Sequence, residues 1–78
     1  MIKRESKLLI TFDTTHDAIA MEATCRKKGI PGRLVPVPSY IAAGCGLALC
    51  TNPDMADQME EHVKSEEIGY KDFVHCTI

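Results

Sequence analysis

The chain has no tryptophan, and only Phe12, Tyr40, Tyr70 and Phe73 carry aromatic rings. Its core must therefore be assembled from aliphatic side chains and methionines. No apolar run approaches the roughly 20 residues of a transmembrane helix, which excludes a helical membrane span. The opening Met1-Ile2-Lys3-Arg4-Glu5 lacks the apolar stretch and cleavage pattern of a signal peptide. A formal charge of −2 provides no broad cationic surface, so nucleic acid is not an expected partner. The triplet Arg26-Lys27-Lys28 falls where a helix should end and reads as compensation of its dipole. The cysteines, Cys25, Cys45, Cys50 and Cys76, show no Cys-x-x-Cys spacing, which removes zinc ribbons and thioredoxin-type dithiols. His62 and His75 have no partners at ligand spacing, so neither a metal nor another cofactor is expected. Without a targeting signal the expected location is the cytoplasm, where the thiols stay reduced.

Seventy-eight residues make one domain, 1–78, near the lower limit of what a single core sustains. A core this small gains stability from a second subunit, so a homodimer is an expectation. Lys7 to Phe12 is a short, partly β-branched apolar run and reads as a buried strand. The hydroxyls and acid of Thr14-Thr15-His16-Asp17 mark a helix start. That helix is expected from about Thr15 to Lys28, with Ala18, Met21 and Cys25 on one face, Ile19 beside them, and Gly29 at its close. Arg33 to Pro38 reads as a strand whose two prolines confine it to a sheet edge. Ser39 to Gly44 is a loop with room for one helical turn at Tyr40 to Ala43, and Leu47 to Cys50 is a third strand. Asn52 and Pro53 then open a second helix, as N-cap and first residue, with Met55, Met59 and Val63 as its stripe and Gly69 at its end. Asp72 to Ile78 is the last strand. The order βαββαβ suits a ferredoxin-like α+β sandwich, an antiparallel sheet with both helices on one face. A strand order 4-1-3-2 would bring Cys45 to Thr14, Thr15 and His16, with Tyr70 and Lys71 near the same end.

Gly44-Cys45-Gly46 is the motif that carries chemistry. Packing gives little reason to set a thiol between two glycines. Glycine lets the backbone approach the sulfur and turns amides toward it. A thiol becomes a nucleophile when a helix N-terminus, a cation or backbone donors lower its pKa from about 8.5. The start of the first helix, the hydroxyls of Thr14 and Thr15, and His16 or Lys71 are candidates to stabilise such an anion. Cys25 reads as core, and Cys50 and Cys76 as strand residues. Glu22 shares a face with Ala18 and Cys25, where an apolar residue would be expected. It forms either an i,i+4 pair with Arg26, worth ~0.2–0.5 kcal/mol, or a half-buried carboxylate that orients the loop or meets a partner.

Phe12-x-Thr14-Thr15-x-x-Ala18-Ile19-x-x-Glu22, then Gly29-Ile30, Leu34-Val35-Pro36-Val37-Pro38 and Cys45-Gly46-Leu47-Ala48-Leu49 resemble the small bacterial and archaeal selenium/sulfur carrier-like proteins. The resemblance spans nearly the whole chain. It implies that Cys45 carries sulfur or selenium between a donor and an acceptor protein, a stoichiometric shuttle more than a turnover enzyme. A basic residue often follows the second proline in that family, where this chain has Ser39. Carriers built on Cys-Pro-x-Pro are a different type, since no cysteine occupies that frame here. The alternative is a non-catalytic module that binds a small ligand or pairs through its sheet.

Overall fold

A computed structural model describes residues 6–37 and 46–77. Four strands form an antiparallel sheet: β1 (Ser6–Thr11), β2 (Arg33–Pro36), β3 (Leu47–Thr51) and β4 (Asp72–Thr77), in the spatial order β2-β3-β1-β4. This is the 4-1-3-2 order read from its other edge. Helix α1 (Thr15–Lys28) follows β1, and α2 (Ala56–Ser65) follows β3 after a 3₁₀ turn at Pro53–Met55.

The registers place Leu34, Leu49, Ile10 and Phe73 in one row across all four strands. Alternation puts these side chains on a single face. Ala18, Met21 and Cys25 of α1 and Met59 and Val63 of α2 share one core cluster with Ile10, Phe12, Ile30 and Leu49. Leu34 and Phe73 pack against that cluster, so both helices cover the same face. Each fully buried Leu, Ile or Met here contributes about 1.5–3 kcal/mol. The opposite face is not open at its centre, because Leu9 and Ala48 are fully buried there.

Thr14 caps α1 as its sequence suggests: the hydroxyl accepts from the Asp17 amide at 3.2 Å and donates to the Asp17 carboxylate at 2.9 Å. At the other end Gly29 takes the left-handed conformation, φ 72°. Gly29 N–H bonds to the Arg26 carbonyl and Ile30 N–H to the Cys25 carbonyl, a Schellman closure that buries Ile30.

Several expectations change. Ile19 is 55 % exposed, because the buried stripe of α1 runs through Ala18, Met21 and Cys25 alone. Asn52 does not cap α2; its side-chain oxygen accepts from Lys7 Nζ at 3.2 Å, and the chain enters the helix through the 3₁₀ turn. Gly69 does not close α2. The helix stops at Ser65 and Glu67 takes the left-handed position at φ 53°, with Ile68 N–H bonded to the Val63 carbonyl. Gly69 instead permits close approach, since a Cβ there would lie 3.1 Å from the Asp17 carboxylate. β3 runs one residue longer than expected, through Thr51. The expected β2 residue Pro38, the Ser39 to Gly44 loop with its helical turn, and Ile78 lie outside the described residues.

Candidate functional site

The end of β1 turns into α1 through Asp13 and Thr14, and two other segments arrive at the same place. Lys71 N–H donates to the Thr11 carbonyl at 2.7 Å, and Gly69 lies against Asp17. Because Thr11 pairs with Ala48, extending the register brings Gly46 level with Asp13. Gly46 thus reaches the sheet end where α1 begins, together with the segment before β4. Cys45 and Gly44 lie outside the described residues.

Gly46 has φ 80°, a conformation costly to any residue with a Cβ, and among the described residues nothing lies within 4 Å of where that Cβ would be. Its carbonyl accepts from Val37 N–H at 3.0 Å, so the β2–β3 ladder continues one pair beyond Pro36 and Leu47. Both stems of the segment that carries Cys45 are therefore tied together by a backbone bond.

Thr14, Thr15 and His16 are exposed, as is Lys71. The Thr14 hydroxyl is committed to Asp17 as acceptor and donor. The donors that α1 directs outward at this end are the first-turn amides of Thr15 and His16. Asp17 adds a carboxylate to the same turn, which partly offsets the positive end of the helix dipole.

Glu22 takes a role of its own. One carboxylate oxygen accepts from Leu34 N–H on β2 at 3.1 Å, and the other lies 3.8 Å from the Arg26 guanidinium. The i,i+4 pair with Arg26 is present, and the bond to Leu34 ties α1 to the strand that leads toward the cysteine segment.

The three described thiols lie on α1, β3 and β4. Cys25 is fully buried, and desolvation raises its pKa to about 11. Cys50 and Cys76 are half-buried on the sheet face away from the helices. Burial and the nearby Cys50 push the Cys76 thiol up. A concavity lined by Lys7, Arg33, Cys50 and Asn52 sits at the far end of β3 from Gly46. Among the described residues no group of three His, Cys, Asp or Glu side chains could hold a metal ion.

One polar residue escaped sequence reasoning. His62 is 3 % exposed, with Nε2 2.7 Å from the Thr24 hydroxyl oxygen. The Thr24 hydroxyl also lies 3.1 Å from the Met21 carbonyl, and which atom of the Thr24–His62 pair donates follows the tautomer of the imidazole. Nδ1 is buried and has no hydrogen-bond partner among the described residues. Desolvation first, and then Lys28, lower the pKa of this imidazole from 6.5, with Glu66 opposing. Its position three residues after Met59 on α2 is the signal that marks it for the buried face.

A protein family described as Putative Se/S carrier protein-like matches residues 7–75. The chain belongs to this family. No curated protein and no solved structure matches it. The matched range covers β2, β3, both helices and position 45, and most of β1 and β4.

Proposed function

We propose that the protein is a sulfur or selenium carrier in which Cys45 is the loaded residue, with Gly44 and Gly46 presenting it. The observation that supports this most is Gly46: a left-handed residue next to the thiol, held by Val37 at the sheet end where α1 begins. The Cys45 thiolate attacks the terminal sulfur of a donor protein's persulfide. The donor S–S bond breaks with its electron pair on the departing donor thiolate, and Cys45 keeps the transferred sulfur as a persulfide. No external oxidant or reductant is needed. The amides of Thr15 and His16, the His16 ring, the Thr15 hydroxyl and Lys71 are the groups offered to the resulting anion. Glu22 holds the β2 stem of the segment.

This reading takes the fold as a ferredoxin-like sandwich and the site of action as the cytoplasm, with a donor and an acceptor protein as partners. No helix among the described residues is long and apolar enough to cross a membrane. Incubation with a cysteine desulfurase and ³⁵S-cysteine, followed by peptide mass spectrometry, tests the assignment. Label on the peptide containing Cys45, lost in Cys45→Ser, is the expected result. Equal label on all cysteines, or none, rejects it in favour of a non-catalytic module.

A further inference from the structure

Antiparallel ladders alternate, so successive residues of an edge strand point their N–H inward to the sheet or outward to solvent. On β2 the bond from Val37 N–H to Gly46 fixes the phase: Val35 and Arg33 point inward, Leu34 and Pro36 outward. Leu34 N–H is taken by Glu22 at 3.1 Å, and Pro36 has no N–H. The outward positions of β2 therefore offer no donor.

At β4 the phase is fixed by Thr11. Lys71 N–H bonds to its carbonyl at 2.7 Å and Asp72 N–H to its hydroxyl at 3.1 Å. The amides of Phe73, His75 and Thr77 consequently point outward, away from β1. No side chain among the described residues accepts from them. The stretch Phe73-Val74-His75-Cys76-Thr77 contains no Lys, Arg, Asp, Glu, Pro or Gly. Natural edges are blunted by charge, proline or a covering group, and β2 has two such devices where β4 has none.

We propose that β4 is a self-association edge, pairing antiparallel with β4 of a second copy to continue the sheet across a two-fold axis. An axis through His75 makes the edge self-complementary. Phe73 then meets Thr77 of the second copy, His75 meets its own counterpart, and Val74 meets Cys76. All three outward residues of each strand exchange bonds in this register, and Lys71 and Asp72 fall outside the paired stretch. A second copy suits this strand better than a foreign peptide, because no charge along it would steer or select one. The half-buried Phe73, Val74 and Cys76 gain the cover that a core poor in aromatics does not supply.

The test uses the full chain in analytical ultracentrifugation from about 10 to 500 μM, against a protomer of 8.6 kDa. The wild type is expected to sediment as a concentration-dependent dimer. His75→Pro deletes one outward N–H, as Pro36 does on the other edge, and leaves the inward bonds to β1 in place. It should weaken the dimer at least tenfold. Thr77→Lys places a charge on the edge, should weaken it similarly, and decides the matter should His75→Pro fail to fold by circular dichroism. Glu22→Gln, on the far edge, should leave the dimer intact. A wild type that stays monomeric throughout overturns the proposal, as does a folded Thr77→Lys variant that dimerises as tightly as the wild type.

Discussion

The sheet end around Gly46 and the interior between the helices are built on opposite terms. At the first, Thr15, His16, Gly46 and Lys71 are exposed and the fixed geometry comes from backbone bonds: Val37 to Gly46, Lys71 to Thr11. In the second, Met21, Cys25, Met59 and His62 are enclosed, and the geometry comes from packing and one short hydrogen bond. Polar chemistry is affordable where water reaches, because no desolvation cost is incurred. In the interior the same atoms are pushed toward neutrality, the thiol of Cys25 upward and the imidazole of His62 downward. Among the described residues, burial thus sets the thiol of Cys25 and the imidazole of His62 apart from the exposed groups at the sheet end.

The sharpest way to break this contrast is to open the interior. Met21→Ala or Met59→Ala removes a fully buried side chain from the core cluster and should cost about 2–5 kcal/mol in urea unfolding. A loss below 1 kcal/mol would mean the interior collapses freely and is not the rigid partner of the comparison.

Cys25 offers a chemical measure of the same difference. A pKa near 11 against 9.0 leaves about a hundredfold less thiolate at neutral pH, before steric protection is added. Iodoacetamide labelling of native protein, read by mass spectrometry, should therefore spare Cys25 until denaturant is added. Labelling at the rate of an unfolded control would erase the distinction.

His62 gives the pH signature. Its folded pKa is lowered from 6.5, so the unfolded chain takes up the proton first. Its contribution is fully present above pH 6.5 and is lost as pH falls from there through the depressed folded value. The urea midpoint should drop between pH 7 and pH 5 more steeply in the wild type than in His62→Gln. Parallel curves would show that the imidazole is hydrated in the folded state.

The smallest expected effect lies at the close of α2. Glu67 holds φ 53° in the position that Gly29 fills at the end of α1. Glu67→Gly removes the Cβ penalty and should raise stability by a few tenths to about 1 kcal/mol, while Gly29→Ala should lower it by a similar amount. Thermal melts of the two variants, moving in opposite directions, would confirm that both helices stop by the same mechanism.

Much of this architecture is legible in the amino-acid order. Thr14 with Asp17 and Gly29 with Ile30 delimit α1 to the residue, since capping depends on local side chains and backbone freedom. Pro36 correctly confines β2 to an edge. The misreadings arise where a distant residue decides. Asn52 has the chemistry of an N-cap but is drawn off by Lys7, 45 positions earlier. Gly69 looks like a helix stop, yet its small size serves the approach of Asp17. The burial of His62 goes unread, because Thr24 of the other helix supplies its contact. At the site, the convergence of Gly46, Thr14 and Lys71 follows from topology, whereas the capture of the Thr14 hydroxyl by Asp17 follows from a rotamer that no spacing rule contains.

The bond between Val37 and Gly46 pins the two chain positions on either side of residues 38–45. Once two ends are pinned in a ladder, a longer connection between them is a small cost: doubling a flexible loop adds only about 0.6 kcal/mol of closure entropy. Segments of different length and composition can thus be exchanged between these two residues without redrawing the sheet. The sheet can stay the same while one short stretch of gene changes.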